Sequence, residues 1–235
     1  MEIRKSHRLA IGGKDILVYI SPNPDSPIIY LHTFEEEGTQ VYFGVREMYA
    51  RWQTLCPEFT LAAVSGLSWN HDMSPWDAPA IAGKDTPCTG GANAYLRMLT
   101  EEMIPAVEEL APGKVLWRGL AGYSLAGLFA LYAPYRTDIF HRIASASGSF
   151  WFPGFQEYVF DNEMKAAPEA VYLSLGNKEC RTRNPYLRTV QERTEKIAAY
   201  YGEKGIDTIY ELNPGNHFQD TALRMASGIA WILNR

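Results

Sequence analysis

The chain has 235 residues, of which 46% are hydrophobic, and this size and composition favour a single domain, 1–235, with a sizeable core. The formal net charge of -5 and the scattered basic residues exclude the strongly positive surface by which proteins bind nucleic acids or anionic membranes. The first residues turn polar before an apolar signal segment forms, and no apolar run is long enough to span a bilayer, so we expect a cytoplasmic protein with no membrane partner.

The predicted elements alternate between strand and helix along the chain. The runs HRLAI and DILVYIS, followed by the turn residues PNPDSP, predict an opening antiparallel pair. The continuous apolar runs PIIYLH, FTLAAVS, KVLWRGLAGYS and AVYLSLG are typical of strands covered on both faces of a parallel sheet, and HRIASAS and GIDTIYELN are two further candidates. We therefore predict an α/β fold, a mostly parallel central sheet with helices on both faces. The segments with helical spacing are residues 42–55, 92–110, 125–135, 186–201 and 219–233.

One long connection, residues 66–91, has neither helical nor strand periodicity. It is rich in Pro, Gly, Asp and Trp. Long loops of this kind in compact domains are usually binding loops or lids, and the tryptophans Trp69 and Trp76 are costly to leave in water. We predict that this loop lines a pocket; the alternative is an irregular surface excursion.

The segment AGYSLAGLF carries the candidate nucleophile, Ser124. This serine lies between an apolar strand and a buried helix, a junction that projects a hydroxyl above the sheet edge beside amides without helical partners. The usual pattern is Gly-x-Ser-x-Gly, and Ala126 replaces its second glycine, which adds one methyl group where strand and helix come close. Gly127 then falls inside the helix, where it allows close packing. The alternative is a small-residue turn with a structural role only.

A serine nucleophile needs a base, and the base needs an acceptor that orients it; in α/β-hydrolases the acid and then the histidine follow the serine. His217, in the turn NPGNHF after the last predicted strand, is the candidate base. Glu179 is our choice of acid because it follows the strand that ends at Gly176. Asp207 begins a strand and should lie at the opposite end of the sheet, and Asp220 suits the start of the last helix.

The oxyanion donors should be the amide of Leu125 and an amide of Thr33 or Phe34 in the loop after PIIYLH. Losing one such donor typically costs about 3–4 kcal/mol of transition-state stabilisation, so we expect this loop to be rigid. The acidic run 35–37 that follows is most simply a solvated charge run; the alternative is that it lies near the pocket mouth and disfavours anionic substrates. The three cysteines are an odd number at wide spacing, which predicts neither a disulfide framework nor a CxxC metal site. A nucleophilic Cys180 is an alternative.

Together, IIYLHTF, WNHDMSPW, GYSLAG, SASGSFWFPGF, SLGNKE and NPGNHF resemble the esterase family of α/β-hydrolases that includes esterase D, the antigen 85 mycolyltransferases and the enterochelin esterases. The pairing of SGSFW with SLGNKE is most similar to the enterochelin esterase branch. The resemblance implies a serine carboxylic-ester hydrolase that needs no cofactor and acts on a siderophore-type or other small ester. By position, Ser124 matches the family nucleophile, Glu179 the acid loop and His217 the base.

Enterochelin esterases act on anionic catecholates, whereas Arg181 and Arg183 are the basic residues near this site in sequence and the acidic run opposes them. Acyl transfer to an alcohol, as in the mycolyltransferases, and a catalytically silent ligand-binding protein are the alternatives to hydrolysis. The oligomeric state stays open. The pocket should lie at the carboxyl ends of the strands. Its candidate residues are Trp69, Asn70, Asp72, Trp76, Trp151 and Phe152.

Overall fold

Ten strands lie in the part of the chain that the computed structural model describes, residues 6–81 and 86–235. In chain order they are β1 (Ser6–Ile11), β2 (Lys14–Tyr19), β3 (Ser26–His32), β4 (Thr60–Ser65), β5 (Asp77–Ala78), β6 (Cys88–Thr89), β7 (Val115–Tyr123), β8 (Arg142–Ala146), β9 (Ala170–Gly176) and β10 (Asp207–Asn213). Eight form the central sheet in the order β1-β2-β4-β3-β7-β8-β9-β10, and β5 pairs with β6. The pairs β1–β2 and β2–β4 are antiparallel, and the other neighbours in the central sheet run parallel.

Helices cover both faces of this sheet. Within the described residues they are α1 (Glu37–Arg51), α2 (Trp69–Asp72), α3 (Ala92–Met98), α4 (Ile104–Glu108), α5 (Leu125–Tyr132), α6 (Phe155–Asp161), α7 (Val190–Glu203) and α8 (Thr221–Leu233). A π-helical turn, Leu99–Met103, joins α3 to α4, and 3₁₀ turns follow α5 (Ala133–Tyr135) and precede α7 (Leu187–Thr189). None of the helices that the structure describes is long and apolar enough to cross a membrane.

The hydrophobic core is divided by the sheet into two layers. Helices α1 and α8 pack together on one face, and the elements from α3 to α7 cover the other. Every residue of β3, β4, β8 and β9 is buried, and so is every residue of α5. A helix that is apolar all round has to be enclosed, and α5 is covered by the sheet on one side and by aromatic side chains of its neighbours on the other. The predicted α/β fold is confirmed.

Two local predictions differ from the structure. The connection 66–91 was expected to lack secondary structure, but its described part contains the single turn α2 and the short pair β5–β6. Helix α6 was not predicted at all. These elements span two to seven residues, too few for a hydrophobic period to emerge, and tertiary contacts stabilise them instead.

The parallel register brings the carboxyl ends of the central strands to one edge. His32 pairs with Gly122, Tyr123 with Ala146, and Gly176 with Asn213. The loops that leave β3, β7, β9 and β10 therefore meet above the same edge, where open α/β sheets bind their ligands.

Candidate active site

Ser124 occupies the sharp turn between β7 and α5. Its backbone angles are φ 59° and ψ -123°, a left-handed conformation that is strained for a side chain with a Cβ. The turn holds the hydroxyl above the sheet edge, and Leu125 begins α5, so its amide has no acceptor four residues earlier within the helix. The side chain is partly exposed. This is the geometry that presents a serine oxygen to a substrate.

Small residues allow this turn to form. A Cβ added at Gly122 would lie 2.5 Å from the carbonyl carbon of Ala126, so strand and helix backbones are in contact there. A Cβ at Gly127 would lie 2.8 Å from Ser145 Oγ and 3.0 Å from the Cα of Gly148. Gly127 thus packs α5 closely against the β8 region, as expected, and Ala126 is buried without displacing its neighbours.

The three predicted residues Ser124, His217 and Glu179 form a hydrogen-bonded chain. His217 Nε2 lies 3.0 Å from Ser124 Oγ, and His217 Nδ1 lies 2.7 Å from Glu179 Oε2. The two loops are joined by their backbones, since the amide of Lys178 donates to Gly215 O and the amide of Gly215 donates to Asn177 Oδ1. With Nδ1 donating to the carboxylate, Nε2 is left to accept the serine proton.

Glu179 is held as a carboxylate by its neighbours. Its side chain is 4% exposed, and Oε1 accepts hydrogen bonds from the amide of Gly176 (2.6 Å) and from Ser147 Oγ (2.8 Å). Burial alone raises the pKa of Glu179, but the hydrogen bond and charge of His217, with the Gly176 and Ser147 donors, outweigh it, and the net pKa is lowered. The group stays ionised and acts only as an acceptor.

Arg224 of α8 connects the acid to the histidine loop, and sequence reasoning missed it. Its side chain is 3% exposed, and Nη1 donates to Glu179 Oε1 at 3.1 Å and to Tyr123 OH at 3.2 Å. Nη2 donates to Pro214 O, and Tyr123 OH in turn donates to His217 O at 2.7 Å. The available signal was a lone arginine on the apolar face of TALRMASGIAWIL, since a buried cation requires acceptors.

The competing acids lie elsewhere. Asp207 begins β10, at the end of the sheet opposite Glu179, and pairs with Arg235. Asp220 stands at the start of α8 but makes no side-chain cap hydrogen bond. Cys180 Sγ contacts Gln191 Oε1 at 3.3 Å. A second hydroxyl does approach the serine: Ser149 Oγ lies 3.3 Å from Ser124 Oγ.

Thr33 and Phe34 are the two predicted oxyanion donors in the loop after β3, and the structure leaves Phe34 as the candidate. The amide of Thr33 donates to Val64 O at 3.1 Å and continues the sheet, so Thr33 is wrong as an oxyanion donor. The Thr33 hydroxyl donates to Glu37, which also accepts a hydrogen bond from Thr221. Glu37 is thereby part of a polar bridge between α1 and α8, and not of a solvated run.

A cavity of about 450 Å³ opens beside Ser124 and Leu125. Its other described lining residues come from the connection 66–91, from the loop after β8 and from the turn before α7; they are Trp69, Asn70, Pro79, Ile81, Thr86, Cys88, Trp151 and Leu187. Three of the six predicted pocket residues, Trp69, Asn70 and Trp151, therefore face the cavity.

The other three have structural positions. Asp72 is buried, pairs with Lys14 and accepts the amide of Ser68, so it fixes the start of the long connection. The Trp76 indole donates to Pro153 O and packs on the ring of Phe152, which is fully buried. Sequence composition marks such rings as costly in water but does not tell a pocket wall from a core.

Within residues 6–81 and 86–235, no group of three or more His, Cys, Asp or Glu side chains has the arrangement of a metal site. Among the titratable groups at the sheet edge, Glu179, His217 and Arg224 belong to the hydrogen-bonded chain and its support. The chemistry available there is proton transfer between a hydroxyl and an imidazole, next to backbone donors.

The mostly parallel sheet, the left-handed serine turn and the order of the loops define an α/β-hydrolase. The chain belongs to the family described as "Putative esterase", whose family model matches residues 19–220. It is a carboxylic ester hydrolase.

Known proteins of similar sequence or structure agree with this family. A protein of Bacillus subtilis (strain 168) described as "Uncharacterized protein YbbA" is 26% identical over 204 residues, which cover 83% of this chain and 80% of that protein. The siderophore hydrolase EstA from Aspergillus nidulans is similar with a TM-score of 0.75 at 19% identity, over 98% of this chain and 94% of its own. The enterobactin esterase FES from Shigella flexneri is similar with a TM-score of 0.67 at 16% identity, over 100% of this chain and 60% of its own. These two solved structures share the fold of this chain.

Proposed function

We propose that the chain hydrolyses a small carboxylic ester through an acyl-enzyme formed on Ser124, with His217 as base and Glu179 as the orienting acid. The observation that carries the proposal is the continuous hydrogen-bonded chain from Glu179 Oε2 through His217 to Ser124 Oγ, with separations of 2.7 and 3.0 Å. Nucleophile, base and orienter within such distances are the signature of covalent acyl transfer.

In the first half-reaction, Ser124 Oγ attacks the ester carbonyl carbon as its proton passes to His217 Nε2. The carbonyl oxygen becomes an oxyanion, which the amides of Leu125 and Phe34 stabilise. Glu179 Oε2 accepts a hydrogen bond from Nδ1–H of the imidazolium and stabilises its charge, while the proton stays on Nδ1. The tetrahedral intermediate then collapses, the bond to the alcohol oxygen breaks, and His217 gives its proton to the departing alcohol.

In the second half-reaction, a water molecule gives a proton to His217 and attacks the acyl carbon. The bond to Ser124 Oγ breaks, and the serine recovers its proton from the imidazolium. The products are one alcohol and one carboxylic acid.

Siderophore esters are one candidate substrate class. The support is that two proteins of similar structure are a siderophore hydrolase and an enterobactin esterase, together with motifs that resemble that branch. Other small esters are the second class, and a comparison of ferric trilactone siderophore with 4-nitrophenyl esters distinguishes them.

A fluorophosphonate probe and short 4-nitrophenyl esters test the mechanism. The wild type should be labelled and should release nitrophenol, and Ser124→Ala and His217→Ala should lose both. Ser227→Ala is the matched control, because this serine lies on α8 and its hydroxyl contacts Leu223 O and Met48 Sδ, outside the hydrogen-bonded chain. Turnover that survives in Ser124→Ala would overturn the proposal. Ligand binding without turnover in the wild type would instead favour a silent binding protein, and ester products formed with added alcohol would favour acyl transfer.

A further inference from the structure

The residues that line the cavity beside Ser124 indicate which kind of substrate group can bind there. Six of its lining residues present apolar groups or a thiol: Trp69, Pro79, Ile81, Cys88, Trp151 and Leu187. Burial raises the pKa of the Cys88 thiol, which keeps it neutral at pH 7. No charged side chain among the described residues lines the cavity.

The polar groups of the cavity are already used. Asn70 Nδ2 donates to Thr86 O at 2.8 Å and to Thr86 Oγ1 at 2.9 Å, so its amide group is engaged by Thr86. The proposed function assigns the Leu125 amide at the start of α5 to the oxyanion, where charge appears only during the reaction. Among the described lining residues, a carboxylate on the substrate would therefore meet no cation, and the Asn70 amide group is already engaged by Thr86.

The apolar surface continues beyond the cavity. Phe34 is 60% exposed and stacks on Trp69 with ring centroids 4.5 Å apart. Phe218 is 86% exposed, and its ring meets that of His217 edge-on at 5.3 Å. Exposed rings on both sides of a reactive centre are costly in water and become favourable when a ligand covers them.

The charged residues that directly follow these two rings in the chain are acidic. Glu35 and Glu36 follow Phe34 and are exposed, and Asp220 lies two residues after Phe218 and is exposed as well. Like charges disfavour the approach of an anion and leave a neutral ligand unaffected.

We infer that the site selects esters whose cavity-bound arm is uncharged and apolar or aromatic, and that it discriminates against carboxylate-bearing esters of the same shape. This inference rests on the proposed function. An unpaired buried carboxylate costs several kcal/mol, so discrimination should exceed tenfold in kcat/KM.

Matched ester pairs test the inference in both arms. For the acyl arm the pair is 4-nitrophenyl methyl glutarate and 4-nitrophenyl hydrogen glutarate; for the alcohol arm it is methyl 4-acetoxybenzoate and 4-acetoxybenzoate. Each kcat/KM is divided by the rate constant for alkaline hydrolysis of the same ester, which corrects for its intrinsic reactivity. The turnover that remains in Ser124→Ala is subtracted as background. We expect the neutral ester to be preferred at least tenfold in one arm. A smaller preference in both arms, or preference for the anion, would overturn the inference while leaving ester hydrolysis by Ser124 intact.

A charge placed in the cavity should reverse the selectivity. Leu187→Arg introduces a cation at the lining and should move the neutral-to-anionic ratio at least tenfold toward the carboxylate ester. Leu116→Arg is the matched control, because Leu116 is 52% exposed near the start of β7, at the other end of the strand from Ser124. An equal change of the ratio in both variants would contradict selection by the cavity. The wild-type ratios decide the question even where Leu187→Arg does not fold.

Discussion

Replacing Arg224 by methionine removes the cation that holds the acid and the histidine loop together. The side chains of Arg224 and Glu179 are 3% and 4% exposed, so the carboxylate would remain buried without its charged partner. Breaking a buried ion pair on one side costs about 3–5 kcal/mol of the free energy of unfolding. The variant also loses the hydrogen bonds to Tyr123 and Pro214, which position His217.

The expected kinetic effect lies between two limits. Loss of a correctly oriented acid lowers kcat by on the order of 10⁴, and Glu179 keeps its Gly176 and Ser147 donors in Arg224→Met. We therefore expect kcat to fall by about 10- to 10³-fold in Arg224→Met, which is a smaller decrease than the one expected from replacing Glu179 itself. Arg224→Lys keeps the charge and should recover part of the activity.

The pH dependence gives a readout that a purely structural role would not affect. The folded-state pKa of Glu179 lies below its ordinary value, so its stabilisation is complete above the unfolded pKa and is lost as pH falls through the folded pKa. Without the nearby cation the folded pKa rises, and the acidic loss of both stability and kcat should move to higher pH.

Urea unfolding at pH 7 and pH–kcat profiles of wild type, Arg224→Met and Arg224→Lys measure these effects. The control is Arg46→Met, which breaks the partly exposed pair with Glu58 and should cost about 1 kcal/mol or less with kcat unchanged. A loss below about 1 kcal/mol in Arg224→Met, with kcat and the pH profile unchanged, would refute the assignment of Arg224 as a positioning residue.

Three further predictions concern the acid, the core and the serine turn. Glu179→Gln should lower kcat by on the order of 10⁴ while thermal unfolding still shows a folded protein, and near-normal turnover would place the acid elsewhere. Burial lowers the pKa of His32 to about 3, so the neutral imidazole contributes its full stabilisation above pH ~6.5. The free energy of unfolding should fall by roughly 5 kcal/mol as the pH is lowered toward 3. In His32→Leu, urea unfolding should show a smaller dependence on pH over this range. Gly122→Ala should cost about 1–3 kcal/mol because its Cβ would overlap the backbone of Ala126, whereas Gly202→Ala, with no atom within 4 Å, should be neutral or stabilising by up to about 1 kcal/mol in the same assay.

Local patterns in the sequence were sufficient to predict the sheet and to predict which three polar side chains meet at its edge. Continuous apolar runs identified the buried parallel strands, because strands covered on both faces have no polar side. The order of Ser124, Glu179 and His217 along the chain, each after the end of a strand, predicted their meeting, because parallel strands place all their carboxyl ends at one edge.

Tertiary structure alone decided which of the neighbouring candidates take part. β4 lies beside β3 and its Val64 O accepts the Thr33 amide, which leaves Phe34 as the candidate donor in that loop. Trp69 lines the cavity while Trp76 packs on Phe152, although both belong to one connection. Arg224 meets Glu179 across 45 residues. Strand periodicity and motif order are properties of short segments, whereas burial and hydrogen-bond partners depend on which segments become neighbours, and that is determined only when the whole chain packs.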